Sequence, residues 1–183
     1  MPRLFVAVDL PVNIREELAL LCCGLPGARW IDPDQMHLTL RFIGEVDGAL
    51  FKDVREALTE VHCEPFAMQL DGIGFFPPRG QPRVVWVGIK KSEQLAQLRN
   101  RVESALVRAG LEQEGRKYSP HITLARLNNT PASKIGAFLV HNGLFMTEEF
   151  SVNEFLLYSS VLNSKGAKHF REEGYSLGGM DVV

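Results

Sequence analysis

Apolar residues follow two different rhythms along the first half of the chain. Short runs rich in apolar and β-branched residues predict strands, and apolar residues spaced three or four apart predict helices. Glycine and proline mark most of the breaks between these segments. The first half is therefore predicted to contain strands at 3–10, 36–44, 66–76 and 83–89, a short extended piece at 29–31, and helices at 13–25 and 48–62.

The second half repeats this order of elements. Ser92 is expected to cap the start of a long helix, and Gly110 lies near the end of that helix. The sequence predicts helices at 92–111 and 130–143 and strands at 121–126, 145–152, 154–162 and 169–178. We therefore expect an α+β fold of mainly antiparallel sheet with helices on one side. The repeated order implies two similar halves within a single domain over residues 1–183.

Each half contains one strand with the same short motif. The first copy is "HLTLRFIG", which begins at His37, and the second is "HITLAR", which begins at His121. With five histidines and five threonines in 183 residues, about 0.14 such His-x-Thr spacings are expected by chance. Because both copies also have an apolar residue between the pair and a leucine after it, the repeat points to one site built from two strands.

Strand geometry predicts which side chains of the motif point together. Successive side chains alternate between the two faces of a strand. In the first copy this places Leu38, Leu40 and Phe42 toward the core and His37, Thr39 and Arg41 on the other face. In the second copy Ile122 and Leu124 face the core, whereas His121 and Thr123 point the opposite way. Each strand then offers one imidazole and one hydroxyl to the same space.

Two imidazoles and two hydroxyls suit in-line displacement at phosphorus. One neutral imidazole can take a proton from the attacking water, and one imidazolium can give a proton to the leaving oxygen on the opposite side. The threonine hydroxyls can hydrogen-bond the non-bridging phosphate oxygens. A metal site is a weaker interpretation, because a His-x-Thr pair is not a usual ligand set and neither motif contains an acidic residue. We expect no metal and no cofactor. A serine hydrolase is weaker still, because the chain has no G-x-S-x-G.

Composition limits the partners and the compartment. The net charge is −2 and the pI is about 6.2, whereas a protein that grips long nucleic acid should be clearly basic. The three cysteines, with no CxxC, argue against a disulfide framework and against a zinc site. The apolar start is cut short at Asp9 and Pro11, so it does not resemble a signal peptide, and no membrane-spanning run follows. We expect a cytoplasmic monomer that does not act at a membrane.

At these residues the chain resembles the two-histidine (2H) phosphoesterases. Within them it is most similar to the RNA 2′,3′-cyclic phosphodiesterases, also called 2′-5′ RNA ligases, over about residues 3–178. The resemblance rests on the two motifs, the opening "RLFVAVDLP", the "RW" before the first motif, the "FP" at 76–77, "PHITLAR" and the late "LYSSVL". It implies a bilobal α+β fold with a central cleft. It also implies opening of a 2′,3′-cyclic phosphate on RNA, or on a small cyclic nucleotide, to leave a 2′-phosphate.

The resemblance also implies roles for individual residues. His37 would be the proton donor to the departing 3′ oxygen, and His121 the proton acceptor that activates water. Thr39 and Thr123 would bind phosphate. The two arginines Arg126 and Arg41 are further candidates for substrate binding. The family commonly has arginine at the position of Arg126, although strict alternation would turn this side chain away from His121 unless a bulge intervenes.

The tail of the chain departs from the family pattern. In "NSKGAKHFREEGYSLG", His169 and Phe170 stand where a tyrosine is expected. This departure concerns the wall of the cleft near the C-terminus, not the catalytic pair. Two rival functions also stay open at this point. One is a nucleotide-binding module of the same fold without turnover, and the other is a 2′-5′ RNA ligase whose hydrolysis is incidental.

Overall fold

Two four-stranded antiparallel sheets form the body of the protein, each holding one of the two motif strands. The structure is a computed structural model and describes residues 1–178, so the last five residues of the predicted domain lie outside it. The first sheet has the strand order β10-β9-β1-β3, and the second has the order β2-β7-β6-β5. The strands are β1 (Arg3–Asp9), β2 (Ala28–Trp30), β3 (His37–Glu45), β4 (Phe66–Met68), β5 (Leu70–Phe76), β6 (Val84–Ile89), β7 (His121–Leu127), β8 (Phe150–Val152), β9 (Glu154–Asn163) and β10 (Gly166–Ser176).

Four α-helices accompany the sheets over residues 1–178, so the predicted α+β class with two lobes is confirmed. They are α1 (Val12–Leu21), α2 (Gly48–Leu58), α3 (Glu93–Arg108) and α4 (Ala132–Asn142), and a short 3₁₀ helix covers Pro33–Gln35. Within the described part of the chain, no helix combines the length and the apolar character that crossing a membrane requires.

Side-chain caps fix where the two amphipathic helices begin. Ser92 accepts a hydrogen bond from the backbone N–H of Leu95 at the start of α3, as the sequence predicted. Asp47 does the same for Leu50 at the start of α2. Both helices turn an apolar stripe inward, and the leucine and valine side chains of that stripe are buried: Val54, Leu58, Leu95, Leu98, Val102 and Leu106. Such caps satisfy backbone donors that have no partner within the helix.

Two predicted strands are shorter than the apolar pattern suggested. The segment 66–76 is interrupted at Gln69, and its two parts enter different sheets. The segment 145–152 is a strand only over Phe150–Val152. The buried side chain of Thr147 explains both differences, because its hydroxyl accepts from the Leu70 N–H while Gln69 donates to its carbonyl oxygen. These local bonds replace a regular ladder at the point where the two segments meet.

Both motif strands carry a β-bulge immediately after the threonine. In β3, Thr39 lies opposite Ala7 and Arg41 lies opposite Val6, so Leu40 is the extra residue. In β7, Thr123 lies opposite Trp86 and Ala125 opposite Val85, so one extra residue is again inserted. A bulge of this kind reverses the alternation of the residues that follow it. The side chains after the threonines therefore point to different faces than strict alternation predicts.

Candidate active site

His37 lies at the start of β3 in an aromatic pocket of the first sheet. Its ring stacks on Phe5, with ring centroids 5.3 Å apart, and on Tyr158, with centroids 5.0 Å apart. The Tyr158 hydroxyl donates to a carboxylate oxygen of Asp9, which lies directly opposite His37 in the neighbouring strand. Arg15 of α1 reaches the same Asp9 oxygen at 3.5 Å. The imidazole thus packs against two aromatic rings that also stack on each other.

The two nitrogens of His37 have a single hydrogen-bond partner between them. Nε2 lies 2.9 Å from Nδ1 of His169 in β10, and Nδ1 is buried without a hydrogen-bond partner among the described residues. Burial, then the neighbouring His169, then the charge of Arg15 lower the pKa of His37 to about 3. Burial also lowers the pKa of His169. Without a bound ligand, His37 is therefore neutral at pH 7.

His121 opens β7 in a different environment. Its Nδ1 lies 2.8 Å from the carbonyl oxygen of Ser119. A carbonyl oxygen can only accept, so Nδ1 carries the proton and Nε2 of the neutral ring keeps its lone pair. Phe76 meets the ring edge-on at a centroid distance of 5.0 Å, and Trp86 lies at 6.2 Å. A histidine fixed in this tautomer is suited to accept a proton at Nε2.

The two motif threonines are both half-buried, and each shares a strand face with its histidine. The partners of Thr39 and His37 in β1 are Ala7 and Asp9, two residues apart and hence on one face. Thr123 and His121 pair in the same way with residues two apart in β6. Some side-chain polar atoms within residues 1–178 are buried from solvent and have no hydrogen-bond partner. The hydroxyls of Thr39 and Thr123 are not among these atoms. Each strand thus presents an imidazole and an accessible hydroxyl on one side.

The two motif strands approach one another where the sheets meet. Some Cα atoms of β3 and β7 lie within 8 Å of each other. The Tyr118 hydroxyl, just ahead of β7, donates to the backbone carbonyl of Thr39 at 2.9 Å. The ring of Tyr118 is half-buried and lies beneath the guanidinium of Arg99, whose carbon lies 5.3 Å from the ring centre. Tyr118 therefore links the two lobes beside the first motif.

Arg41 does not share the face of His37, and that part of the prediction is wrong. The bulge at Leu40 turns Arg41 to the helix side, where its Nε donates to a carboxylate oxygen of Glu103 at 2.6 Å. Its other nitrogens donate to backbone carbonyl oxygens of Phe42 and Glu112. Substrate binding by Arg41 stays a prediction that its contacts do not support.

Phe42 takes the place that alternation had assigned to Arg41. Phe42 pairs with Phe5, which contacts the ring of His37, so Phe42 lies on the motif face. Its side chain is 67% exposed, which contradicts the prediction that it packs in the core. An exposed aromatic ring thus stands at the end of the first motif.

Arg126 is turned by the second bulge onto the face of its motif. Its partner Val84 and the partner of Thr123, Trp86, are two residues apart in β6 and share a face. Thr123 and Arg126 consequently point the same way although they are three residues apart. Arg126 is exposed, and no carboxylate lies within ion-pair distance in the described part of the chain. Strict alternation would have turned Arg126 away from His121, and the bulge in β7 prevents this.

Sequence reasoning missed His169 as a neighbour of His37. Its backbone N–H donates to the side-chain oxygen of Gln35, and its ring meets Phe5 edge-on with centroids 4.9 Å apart. The two histidines are 132 positions apart, so no local pattern joins them. The one available signal was the departure at 169–170, where a tyrosine was expected. Among residues 1–178, no group of three His, Cys, Asp or Glu side chains is arranged to hold a metal ion.

Comparison with known proteins identifies relatives across most of the chain. Residues 26–162 match the family model described as "2'-5' RNA ligase superfamily". A protein of Archaeoglobus fulgidus named RNA 2′,3′-cyclic phosphodiesterase is 33% identical over 167 residues, which are 90% of this chain and 94% of that protein. A protein of the same name from Thermotoga maritima is 31% identical over 170 residues, 90% of this chain and 89% of that protein.

Solved structures give the same likeness in three dimensions. The structure of E. coli LigT in apo form superposes with a TM-score of 0.80 at 28% identity and covers 97% of this chain and 99% of that one. E. coli LigT complexed with 3′-AMP superposes with a TM-score of 0.79 at 29% identity, covering 98% of this chain and all of that one. The resemblance stated from the two motifs is confirmed at the level of the family.

Proposed function

The chain belongs to the 2′-5′ RNA ligase superfamily, and from that premise we propose that it hydrolyses 2′,3′-cyclic phosphate ends of RNA to 2′-phosphates without a metal ion. The names of its relatives support this reaction class. The single observation that carries the proposal is the pair of adjoining strands, each with one histidine and one accessible threonine on the same face. The proposed substrate is an RNA end or a small cyclic nucleotide, bound by a monomeric protein.

His121 acts as the base in the proposed reaction. Its tautomer supports this role, because the Ser119 carbonyl oxygen holds the proton on Nδ1 and leaves Nε2 free to accept. Nε2 takes a proton from water as the water oxygen forms a bond to phosphorus. The Thr39 and Thr123 hydroxyls donate to the non-bridging phosphate oxygens, and the exposed guanidinium of Arg126 supplies positive charge.

His37 is the source of the proton that reaches the departing 3′ oxygen. This role requires the imidazolium, whereas the free protein keeps His37 neutral because its pKa is lowered to about 3. A negatively charged phosphate beside the ring favours the charged form and raises that pKa. Substrate binding and protonation of His37 are therefore coupled. His37 becomes the imidazolium, the form that can donate a proton, when the phosphate is bound.

Product analysis tests the proposal. A dinucleotide ending in a 2′,3′-cyclic phosphate is incubated with the protein in EDTA, and the product is identified by phosphorus NMR. We expect the 2′-phosphate, and we expect H37Q and H121Q to lower kcat by about 10²-fold or more. H141Q, which alters an exposed histidine of α4, is the matched control and should keep the full rate. Binding without turnover, or a 3′-phosphate product, would sink the proposal.

The description of the matched family favours one alternative activity, 2′-5′ joining of RNA ends. In that reaction a 5′-hydroxyl takes the place of water as the nucleophile, and the same histidines transfer the protons. Supplying RNA fragments with a 5′-hydroxyl and a cyclic phosphate separates the two activities. If 2′-5′ joined product exceeds 2′-phosphate at equal fragment and enzyme concentrations, ligation is the main activity and hydrolysis is incidental.

A further inference from the structure

The hydrogen bonds of His37 leave its ring one polar contact, which is the contact with His169. Its Nδ1 is sealed within the protein and has no partner in the described residues. Its Nε2 is taken up by Nδ1 of His169 at 2.9 Å. A proton on His37 therefore has no direct route to an outside acceptor while this hydrogen bond is intact.

His169 is held in place from three directions. Gln35 accepts a hydrogen bond from its backbone N–H at 2.9 Å, the Phe5 ring packs against its edge, and β9 pairs Ser160 with it. The side chain is only half-buried. Its Nε2 does not belong to the described polar atoms that are buried from solvent and lack a hydrogen-bond partner. His169 is thus the outward end of a fixed pair of imidazoles, with His37 as the inner member.

We propose that His169 is a second member of the acid, which passes the proton of His37 to the leaving 3′ oxygen. This inference rests on the proposed function. The Nε2–H of His169 protonates the 3′ oxygen as the bond between that oxygen and phosphorus breaks. Nδ1 of His169 takes the proton from Nε2 of His37, which is left neutral with its remaining proton on Nδ1. One proton leaves the pair, and one proton from water is taken up by His121.

The pair can hold one extra proton but not two. Two imidazolium rings would bring N–H groups and like charges together at 2.9 Å, whereas an imidazolium and a neutral imidazole share one hydrogen bond. The charged or titratable groups around the pair are Asp9 of β1, Arg15 of α1 and Tyr158 of β9. Beside His169, Lys168 extends over the ring of Phe170. The protonation of each histidine consequently depends on the protonation of the other.

Variants at position 169 test the relay. In H169Q the side chain can still hydrogen-bond His37 but cannot carry the proton across, so we expect kcat to fall by about 10²-fold with KM within about twofold. The basic limb of the pH profile of kcat should disappear. In H169A, added imidazole should restore at least about tenfold of the lost rate. H141Q is the control for loss of an exposed histidine.

Several results would overturn the relay. One is H169Q with kcat within about threefold of the unaltered protein. Another is a slow H169Q that keeps the original pH profile together with an H169A that imidazole does not restore, because that combination marks a purely structural role. If neither variant folds, nitrogen NMR of the unaltered protein decides. A coupling across the hydrogen bond between the two rings supports the relay, and its absence refutes it. If the unaltered protein forms no 2′-phosphate while H121Q is equally inactive, the proposed function itself has failed.

Discussion

The buried neutral state of His37 makes the stability of the fold depend on pH in a defined window. In the unfolded chain its pKa returns to about 6.5, whereas in the folded protein burial, His169 and Arg15 lower that pKa to about 3. Between these values the unfolded chain binds a proton that the folded protein rejects, so acid favours unfolding. The contribution of neutral His37 to the stability of the folded protein is complete above pH 6.5 and is lost as the pH falls toward 3.

The size of the effect follows from the difference in pKa. Each pH unit inside the window changes the free energy of unfolding by about 1.4 kcal/mol per group. Because the upper edge of the window is near pH 6.5, His37 alone should lower the stability by about 2 kcal/mol between pH 7 and pH 5. The lowered pKa of His169 acts in the same direction.

Urea unfolding at pH 7 and pH 5 measures this contribution. The difference between the two pH values is compared for the unaltered protein, for H37Q and for H141Q, which changes an exposed histidine. We expect H37Q to lose about 2 kcal/mol of the pH dependence and H141Q to keep all of it. Equal loss of stability in H37Q and in the unaltered protein between pH 7 and pH 5 would refute a lowered pKa of His37.

Three further outcomes follow from individual contacts. R41A should destabilise the fold by about 3–5 kcal/mol in urea unfolding, because the carboxylate of Glu103, which is 9% exposed, loses its ion-pair partner. KM should stay within about twofold, and a large rise in KM at unchanged stability would contradict this. R126A should raise KM by about tenfold, while its stability in urea stays unchanged. R108A, which changes an exposed site on α3, should alter neither quantity. An unchanged KM in R126A would show that Arg126 does not bind the substrate. D47A should cost about 1 kcal/mol of stability through loss of the helix cap, measured by thermal unfolding, with kcat intact.

The sequence predicted the elements of the fold and the four motif side chains because these depend on local patterns. Each of the two sheets contains one motif strand, as the repeated order of elements implied. Alternation along a strand then placed His37 with Thr39 and His121 with Thr123. The period of two holds over these three residues in both strands, since each bulge begins only after the threonine.

The residues beyond each bulge could not be placed by the same rule. One inserted residue exchanges the faces of the residues that come directly after it, so Arg41 pairs with Glu103 on the helix side and Phe42 takes the motif face. The equivalent insertion in β7 brings Arg126 back to the face of Thr123. Nothing in the letters "TLRF" or "TLAR" marks an insertion, because a bulge is defined by the pairing of two strands.

The contact between His37 and His169 was out of reach for a related reason. It depends on the order β10-β9-β1-β3 in the first sheet and on the Gln35 side chain that holds the backbone of β10. The same contact makes the two motif histidines unlike. One has its outward nitrogen closed by a second imidazole, and the other has its inner nitrogen fixed by a carbonyl oxygen. Pseudo-symmetry of sequence therefore does not mean equivalence of chemistry.

We propose that both motif histidines serve one phosphate group. Carbon–proton NMR of the histidine rings during titration with a nucleoside 2′-monophosphate tests it most directly, with His141 as the internal control. We expect the His37 and His121 signals to shift together, with one Kd, while the His141 signal does not move. A titration in which only one of the two motif histidines responds, or in which they respond with different affinities, would contradict the account.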